Sequence, residues 1–346
     1  MALNLNYEPN VLVEDTNAIT REEWLKWRAQ GIGGSDVAAA LGFSPYKTRR
    51  DLYYEKSGIE PAISDDENNW VAKEVGHRLE SLVAEIYRHK TGYEVYAIHK
   101  LFQHPLYPFL LANVDFFVQK PNGSRGILEI KTSHYQNREK WANNSIPRHY
   151  EYQGRHYDCV VNLDFAAFAC LFGNSESDFV MREVERDLDD EENTVAELSH
   201  FWNRYVLARM EPPYTEKPDL ALESIRRFHG QADESLPDIH IGASFAPALE
   251  QFLVLKEEKA ALERSARELE TKMKGLYVPI ADQLGQGISG VCISGADKYE
   301  FWYKPSGRTS IKKESLEKLQ MEHPDIYGEY VSTSDTRSFS VKKAAV

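Results

Sequence analysis

LLANVDFFVQKPNGSRGILEIKT, residues 110–132, holds two runs of strand-forming residues around Pro121-Asn122-Gly123-Ser124. An Asn-Gly turn between apolar runs of period two predicts a β-hairpin. Side chains two apart on a strand share a face. Glu129 and Lys131 therefore point one way, and Leu128 and Ile130 the other. The hairpin brings Asp115 alongside Glu129, so two carboxylates and an ammonium converge. Carboxylates that close repel, and one protonates unless a cation neutralises the pair. Their hard oxygens suit Mg²⁺, or Mn²⁺ in its place. Such an ion lowers the pKa of bound water and stabilises charge on a phosphate. Lys131 is placed to hold the attacking water or the charge developing on phosphorus. The Ile130 carbonyl, between the two side chains, offers a further ligand. A plain cross-strand ion pair is the other reading of the same three residues. Glu-x-Lys alone is weak, since Glu257/Lys259 and Glu270/Lys272 repeat it inside a helical pattern.

Upstream, residues 71–90 form an amphipathic helix with a predicted stripe of Val75, Leu79, Leu82, Val83 and Ile86. Glu80 borders that stripe, and Gly76, one turn earlier, lets the helix approach the sheet closely. Asp65–Asn69 is a polar connection before this helix. Downstream, residues 148–161 read as a helix carrying Gln153, a side chain able to orient water or a phosphate oxygen. Residues 164–172 and 178–186 read as a second hairpin, and 191–209 as a helix. The pattern predicts an α/β or α+β core, a mixed sheet with helices before and after it, ending near residue 210.

Near the start, WRAQGIGGSDVAAALG spans residues 27–42. A helix over 21–30, with a Thr20/Glu23 capping box, runs into glycines at 31, 33 and 34. Ser35 or Asp36 is expected to cap the next helix, 37–41. Backbone N–H groups at a helix start favour an anion, and Arg28 adds a bidentate clamp. No Lys-Ser/Thr follows the glycines, so there is no P-loop. No strand precedes them and the third glycine is missing, so there is no dinucleotide fingerprint. Lys47, Arg49, Arg50, His134, Arg138, Lys140, Arg148 and Arg155, with Tyr135, Trp141 and Tyr152 among them, could contact phosphates.

The whole chain has 346 residues and a net charge of −13. The acidic balance lowers the expectation of nucleic-acid binding without removing it, because net charge governs solubility more than a local site. Three cysteines, Cys159, Cys170 and Cys292, match no disulfide or zinc spacing and read as small buried residues. No apolar run approaches the roughly 18 residues of a membrane span. The opening residues lack a basic-plus-apolar leader, so a cytoplasmic protein without membrane partners is expected. Residues 1–210 are expected to form the core and 211–247, with Pro212, Pro213 and Pro218, a linker. Residues 248–346 would be a helical arm plus a small α/β extension. In the arm Leu255, Leu262, Leu269 and Leu276 recur every seven residues, with Lys259 interrupting the seam; a coiled coil and a helix packed on its own domain both fit. A strand pair near Val291 and Tyr303, a helix from Lys313 and a last strand near Phe339 complete the tail.

Gly76-x-x-x-Glu80, then Asp115, then Glu129-Ile130-Lys131, then a helix with Gln153 is the order of the PD-(D/E)XK nucleases. With GIGGSDVAAALG in front, the chain resembles the YqaJ-type viral recombinase family, which includes phage lambda exonuclease. The resemblance covers residues 20–210. It implies a PD-(D/E)XK core, a central mixed β-sheet flanked by helices. It implies a 5'-to-3' exonuclease on double-stranded DNA ends that leaves 3' single-stranded tails for a phage single-strand annealing protein in homologous recombination. It also implies a homotrimeric ring, encoded by a phage or prophage of a bacterial host. Carried onto this sequence, Asp115, Glu129 and the Ile130 carbonyl hold Mg²⁺, and Glu80 completes the acidic site. Lys131 assists the nucleophilic water, Gln153 is the helix glutamine, and Arg28 and Ser35 bind the terminal 5'-phosphate. Val114 and Phe116 stand where many relatives have proline and glycine; neither supplies a ligand. An iron–sulfur cluster is excluded, for want of a fourth cysteine. A structure-specific endonuclease and a non-catalytic DNA-end-binding module are the alternatives.

Overall fold

The computed structural model describes residues 5–63, 70–307 and 310–331. The chain divides into two compact units, Met1–Gly230 and Gln231–Val346. The first opens with strand β1 (Asn10–Val13) and helices α1 (Arg21–Arg28), α2 (Gly34–Ala40) and α3 (Arg49–Ser57). The long helix α4 (Trp70–Thr91) follows, then β2 (Glu94–Tyr96), β3 (Leu101–Gln103), β4 (Leu111–Ala112), β5 (Phe116–Gln119) and β6 (Arg125–Thr132). Helix α5 (Arg148–Val161), strands β7 (Phe165–Leu171) and β8 (Phe179–Glu185), and helices α6 (Leu188–Phe201) and α7 (Pro218–His229) complete the unit. No described helix is long and apolar enough to cross a membrane.

A five-stranded sheet runs in the order β2-β5-β6-β7-β8. Only the β6–β7 pair is parallel. Its crossover is α5, as a parallel pair requires. The sheet is mixed and helix-flanked, as expected, and β1, β3 and β4 form a smaller sheet beside it. Central strand β6 is buried along Gly126–Ile130, because both faces are covered. On one face Ile127, Ala166 and Phe168 pack with Tyr157 and Val160 of α5. On the other, Leu128, Ile130 and Ala167 pack with Val83, Ala84 and Tyr87 of α4. Gly154 lets α5 lie close on the sheet: a Cβ there would stand 2.5 Å from the Phe168 ring and 2.9 Å from Ala166 Cβ. Gly154→Ala should therefore cost about 1–3 kcal/mol, the range for overpacking, read as a lower denaturant midpoint at unchanged slope.

Several expectations change. Helix α4 is turned partly from its predicted stripe: Val83 is buried as expected, but Val75 and Leu82 are exposed, and Ala84 and Tyr87 are buried in their place. The helix has two apolar flanks, and the sheet covers only one. The apolar run over 110–120 breaks at Asn113–Asp115, and residues 94–100, whose period of two predicts a strand, form one only as far as Tyr96. The helix expected over 191–209 widens at Trp202 into a π-helical turn. Residues 211–230 are not linker. Ser224 Oγ donates to Asp51 Oδ1 at 2.6 Å, which ties α7 to α3, and Arg50 Nε of α3 donates to the carbonyl of Pro212, ahead of α7, at 2.8 Å. Cys159 and Cys170 are buried as expected, but Cys292 is exposed.

The second unit contains helix α8 (Ala246–Leu284), the antiparallel pair β9 (Ser289–Ser294) and β10 (Asp297–Trp302), and helices α9 (Lys313–Glu322) and α10 (Pro324–Tyr330). The strand expected near Phe339 and the connection at Asp65–Asn69 lie outside the described residues.

Candidate active site

The hairpin forms as its turn predicts: Lys120 N–H donates to the Ser124 carbonyl, and Gly123 takes φ 90°. Phe116 pairs with Leu128, and the same register carried one step further sets Asp115 across from Glu129. The Ile130 N–H points to Asp115 Oδ2 at 3.5 Å. Lys131 Nζ donates to Glu129 Oε1 at 2.5 Å and lies 3.4 Å from Gln153 Oε1. Gln153 Nε2, on α5, donates to Glu129 Oε1 at 2.6 Å. Four of the residues singled out in the sequence thus meet on the α5 face of the sheet.

The charge balance at this point is uneven. Burial, then Glu129 and Glu80, push the Asp115 carboxyl well above the usual carboxylate range, against the opposing pull of Lys131. Burial opposes the Lys131 charge, but Glu129 and Asp115 outweigh it and raise its pKa. Glu129 is 2 % exposed, and its Oε2 has no hydrogen-bond partner among the described residues. Glu80 stands on α4, against the opposite sheet face. Burial first, then Glu129, raise its pKa, and its carboxylate sits 3.7 Å from His77 Nδ1. The expected need for glycine at 76 does not hold: a Cβ there would lie 3.5 Å from Thr132 Oγ1, an ordinary contact that leaves room for a side chain. Among the described residues, no three His, Cys, Asp or Glu side chains are grouped to hold a metal by themselves.

The glycine loop leads into a second charged cluster. The capping expectation changes: Gly33 is the N-cap, and Asp36 sits inside the first turn of α2, accepting from the Gly33 N–H. Arg28 Nη2 donates to Ser35 Oγ at 3.0 Å and to Asp36 Oδ1 at 2.9 Å. Lys47 and Lys56 each reach Asp36 at 2.8 Å. Lys47 also pairs with Glu55. Burial opposes the Asp36 charge, but Lys47, Lys56 and Arg28 outweigh it and hold its carboxyl well below the usual range. Arg28, Lys47 and Lys56 against Asp36 and Glu55 leave one positive charge in excess.

Tyr157 joins the two clusters, and sequence reasoning did not single it out. It is buried, and its hydroxyl accepts from Gln153 Nε2 at 3.2 Å. A Cβ on Gly34 would stand 2.5 Å from its ring, so that glycine makes room for the tyrosine. The available signal was the Gln153/Tyr157 spacing of four on one helix face. Asp36, Lys56 and Glu55 were missed as a hub for the same reason that buried partners usually are: they are neighbours in space only.

The other basic residues divide. Lys131 lies 4.8 Å from the centre of the Tyr150 ring, and Arg148 stacks over Phe43 at 4.1 Å. Arg50 and Arg155 are engaged structurally, with Pro212 and Glu211, and with Glu151, respectively. Trp141 is buried in the core.

A YqaJ-like viral recombinase domain model matches residues 23–163. Across 331 residues, 94 % of this chain and 96 % of the relative, the sequence is 30 % identical to uncharacterized protein YqaJ of Bacillus subtilis (strain 168). Among solved structures, the alkaline exonuclease LHK-Exo of Laribacter hongkongensis aligns with a TM-score of 0.45 at 20 % identity, over 54 % of this chain and 93 % of that one. A phage related exonuclease from Haemophilus somnus 129PT aligns with a TM-score of 0.36 at 14 % identity, over 54 % of this chain and all of the other.

Proposed function

Because this chain belongs to the YqaJ-like viral recombinase family, we propose that it is a Mg²⁺-dependent deoxyribonuclease that degrades double-stranded DNA from its ends, 5' to 3'. The observation that carries the reading is the pair of carboxylates, Asp115 and Glu129, held side by side with Lys131 and Gln153. The residues fit a hard divalent ion. Glu129 keeps a buried oxygen without a partner among the described residues, and burial, with the Glu129 charge beside it, pushes Asp115 toward protonation. Asp115, Glu129 and the Ile130 carbonyl would hold Mg²⁺, with Glu80 behind them. Mg²⁺ retains several waters, so a small protein ligand set suffices. Bound there, the ion would supply Lewis acidity toward the scissile phosphate.

The protein's own groups do the rest. Gln153 orients Glu129 through its amide. Lys131, held charged by the two carboxylates, stands beside the place where charge develops on the phosphate, and its ammonium stabilises that charge. Burial of the α5 face limits water and strengthens these interactions.

The Arg28/Ser35 cluster is proposed to bind the terminal 5'-phosphate. Arg28 and Lys47 are only partly covered and share the excess positive charge with Lys56. Arg28→Ala should reduce the preference for 5'-phosphorylated over 5'-hydroxyl ends by about tenfold, the scale of one charge-assisted contact. An unchanged ratio of initial rates would reject this assignment.

The deciding experiment is a time course on end-labelled linear duplex with Mg²⁺, beside a covalently closed circle of the same sequence. Mononucleotide release from the 5' ends, with the circle intact, is expected. Cleavage of the circle would mark an endonuclease, and binding without hydrolysis a DNA-end-binding module. The 3' tails would be consumed by a phage single-strand annealing protein. A homotrimeric ring around the duplex is the assembly expected for the core.

A further inference from the structure

We infer that α8 associates with α8 of a second copy of the chain, as an antiparallel two-stranded coiled coil. Helix α8 is 39 residues long and has no buried residue. Leu255, Leu262, Leu269 and Leu276 recur every seven residues and are all exposed, Leu262 at 72 % and Leu276 at 75 %. Met273, three before Leu276, is exposed as well. A seam of this kind on a water-facing helix buries its apolar side only against another helix. The single proline inside the helix, Pro279, lies beyond the last leucine, so the seam itself is uninterrupted.

The flanking charges choose the partner and its direction. With the leucines at d, the a positions are Phe252, Lys259, Ala266 and Met273. The e positions are Lys256, Glu263 and Glu270, and the g positions are Glu258, Ser265 and Lys272. In a parallel pair, g faces the following e of the other helix, which sets Glu258 against Glu263 twice and Lys259 against its own copy in the seam. In an antiparallel pair centred between Leu262 and Ala266, e faces e and g faces g. Glu258 then meets Lys272 of the second copy twice, and Lys256 meets Glu270 twice. Glu263 and Ser265 each meet their own copy, and of these only Glu263 repels. Lys259 packs over Leu269 of the second copy, with its ammonium free to reach water past the seam. The other layers are Leu276 on Phe252, Leu255 on Met273 and Leu262 on Ala266, the last of them large on small. One sequence thus complements itself in one direction and repels itself in the other.

Sedimentation or light scattering on the full chain tests this. Leu262→Glu with Leu269→Glu, both at exposed positions, should halve the wild-type assembly mass while helical circular dichroism is retained. Glu258→Lys should weaken the self-association about tenfold in Kd, because two attractive contacts become repulsive. Adding Lys272→Glu should restore it. An assembly mass unchanged by the double leucine variant would overturn the inference and assign the face to another protein or to the same chain. Tighter association of Glu258→Lys would overturn the antiparallel direction.

Discussion

Lys131→Ala is expected to lower nucleotide release from linear duplex by about 10²–10³-fold, the range for losing one preorganised donor at developing charge. Lys131 is an ammonium because Glu129 and Asp115 outweigh its burial. It is held in place by Glu129 at 2.5 Å and by the nearby Tyr150 ring. Alanine removes the charge and leaves Glu129 its hydrogen bond from Gln153. Glu129 and Asp115 would then face each other without their nearest cation, so the variant should also melt at a lower temperature. The rate must therefore be normalised to folded protein, measured by circular dichroism at the assay temperature. Equal rates per folded molecule in wild type and variant would end the catalytic assignment.

Asp36→Asn is expected to destabilise the first unit by about 3–5 kcal/mol, the cost of removing one partner from a buried ion pair. The asparagine keeps the shape and one acceptor, but Lys56 would remain as a cation with a fully buried side chain, beside Lys47 and Arg28. For a unit of this size, the thermal midpoint should fall by on the order of 10 °C. The pH dependence has a definite sign. Asp36 has its pKa depressed on folding. Its stabilising effect is complete above the unfolded value of about 3.9. It is lost progressively as pH falls from there to the lower folded value. The gap between wild type and variant should therefore persist from neutral pH down to about pH 4. Equal midpoints in the two proteins would show that the ion cluster contributes nothing net.

Much of the site was legible because it is built from local geometry. The Asn122-Gly123 turn and a period of two are enough to carry Asp115 across to Glu129. Thr20 and Glu23 form their capping box as written, with Glu23 N–H donating to Thr20 Oγ1 at 3.2 Å. Gln153 falls on a helix whose bounds, Arg148–Val161, follow from its pattern. Other features depend on partners distant in the chain. Asp36 read as a cap because Lys47 and Lys56 carry no sequence mark of turning toward it. Ser224 gives no hint that it binds Asp51, so residues 211–230 read as linker. Tyr157 looks like any helix tyrosine until Gly34 and Gln153 close around it.

The order of the elements, the hairpin, and the face shared by Glu129 and Lys131 were set by turn chemistry and side-chain periodicity, which operate over a few residues. Which flank of α4 meets the sheet, where the first unit ends, and how Asp36 gathers its three cations were settled by packing between distant segments. The physical reason is that a one-dimensional pattern can mark a side chain as apolar or charged, but the energy of burying it depends on the neighbour that covers it.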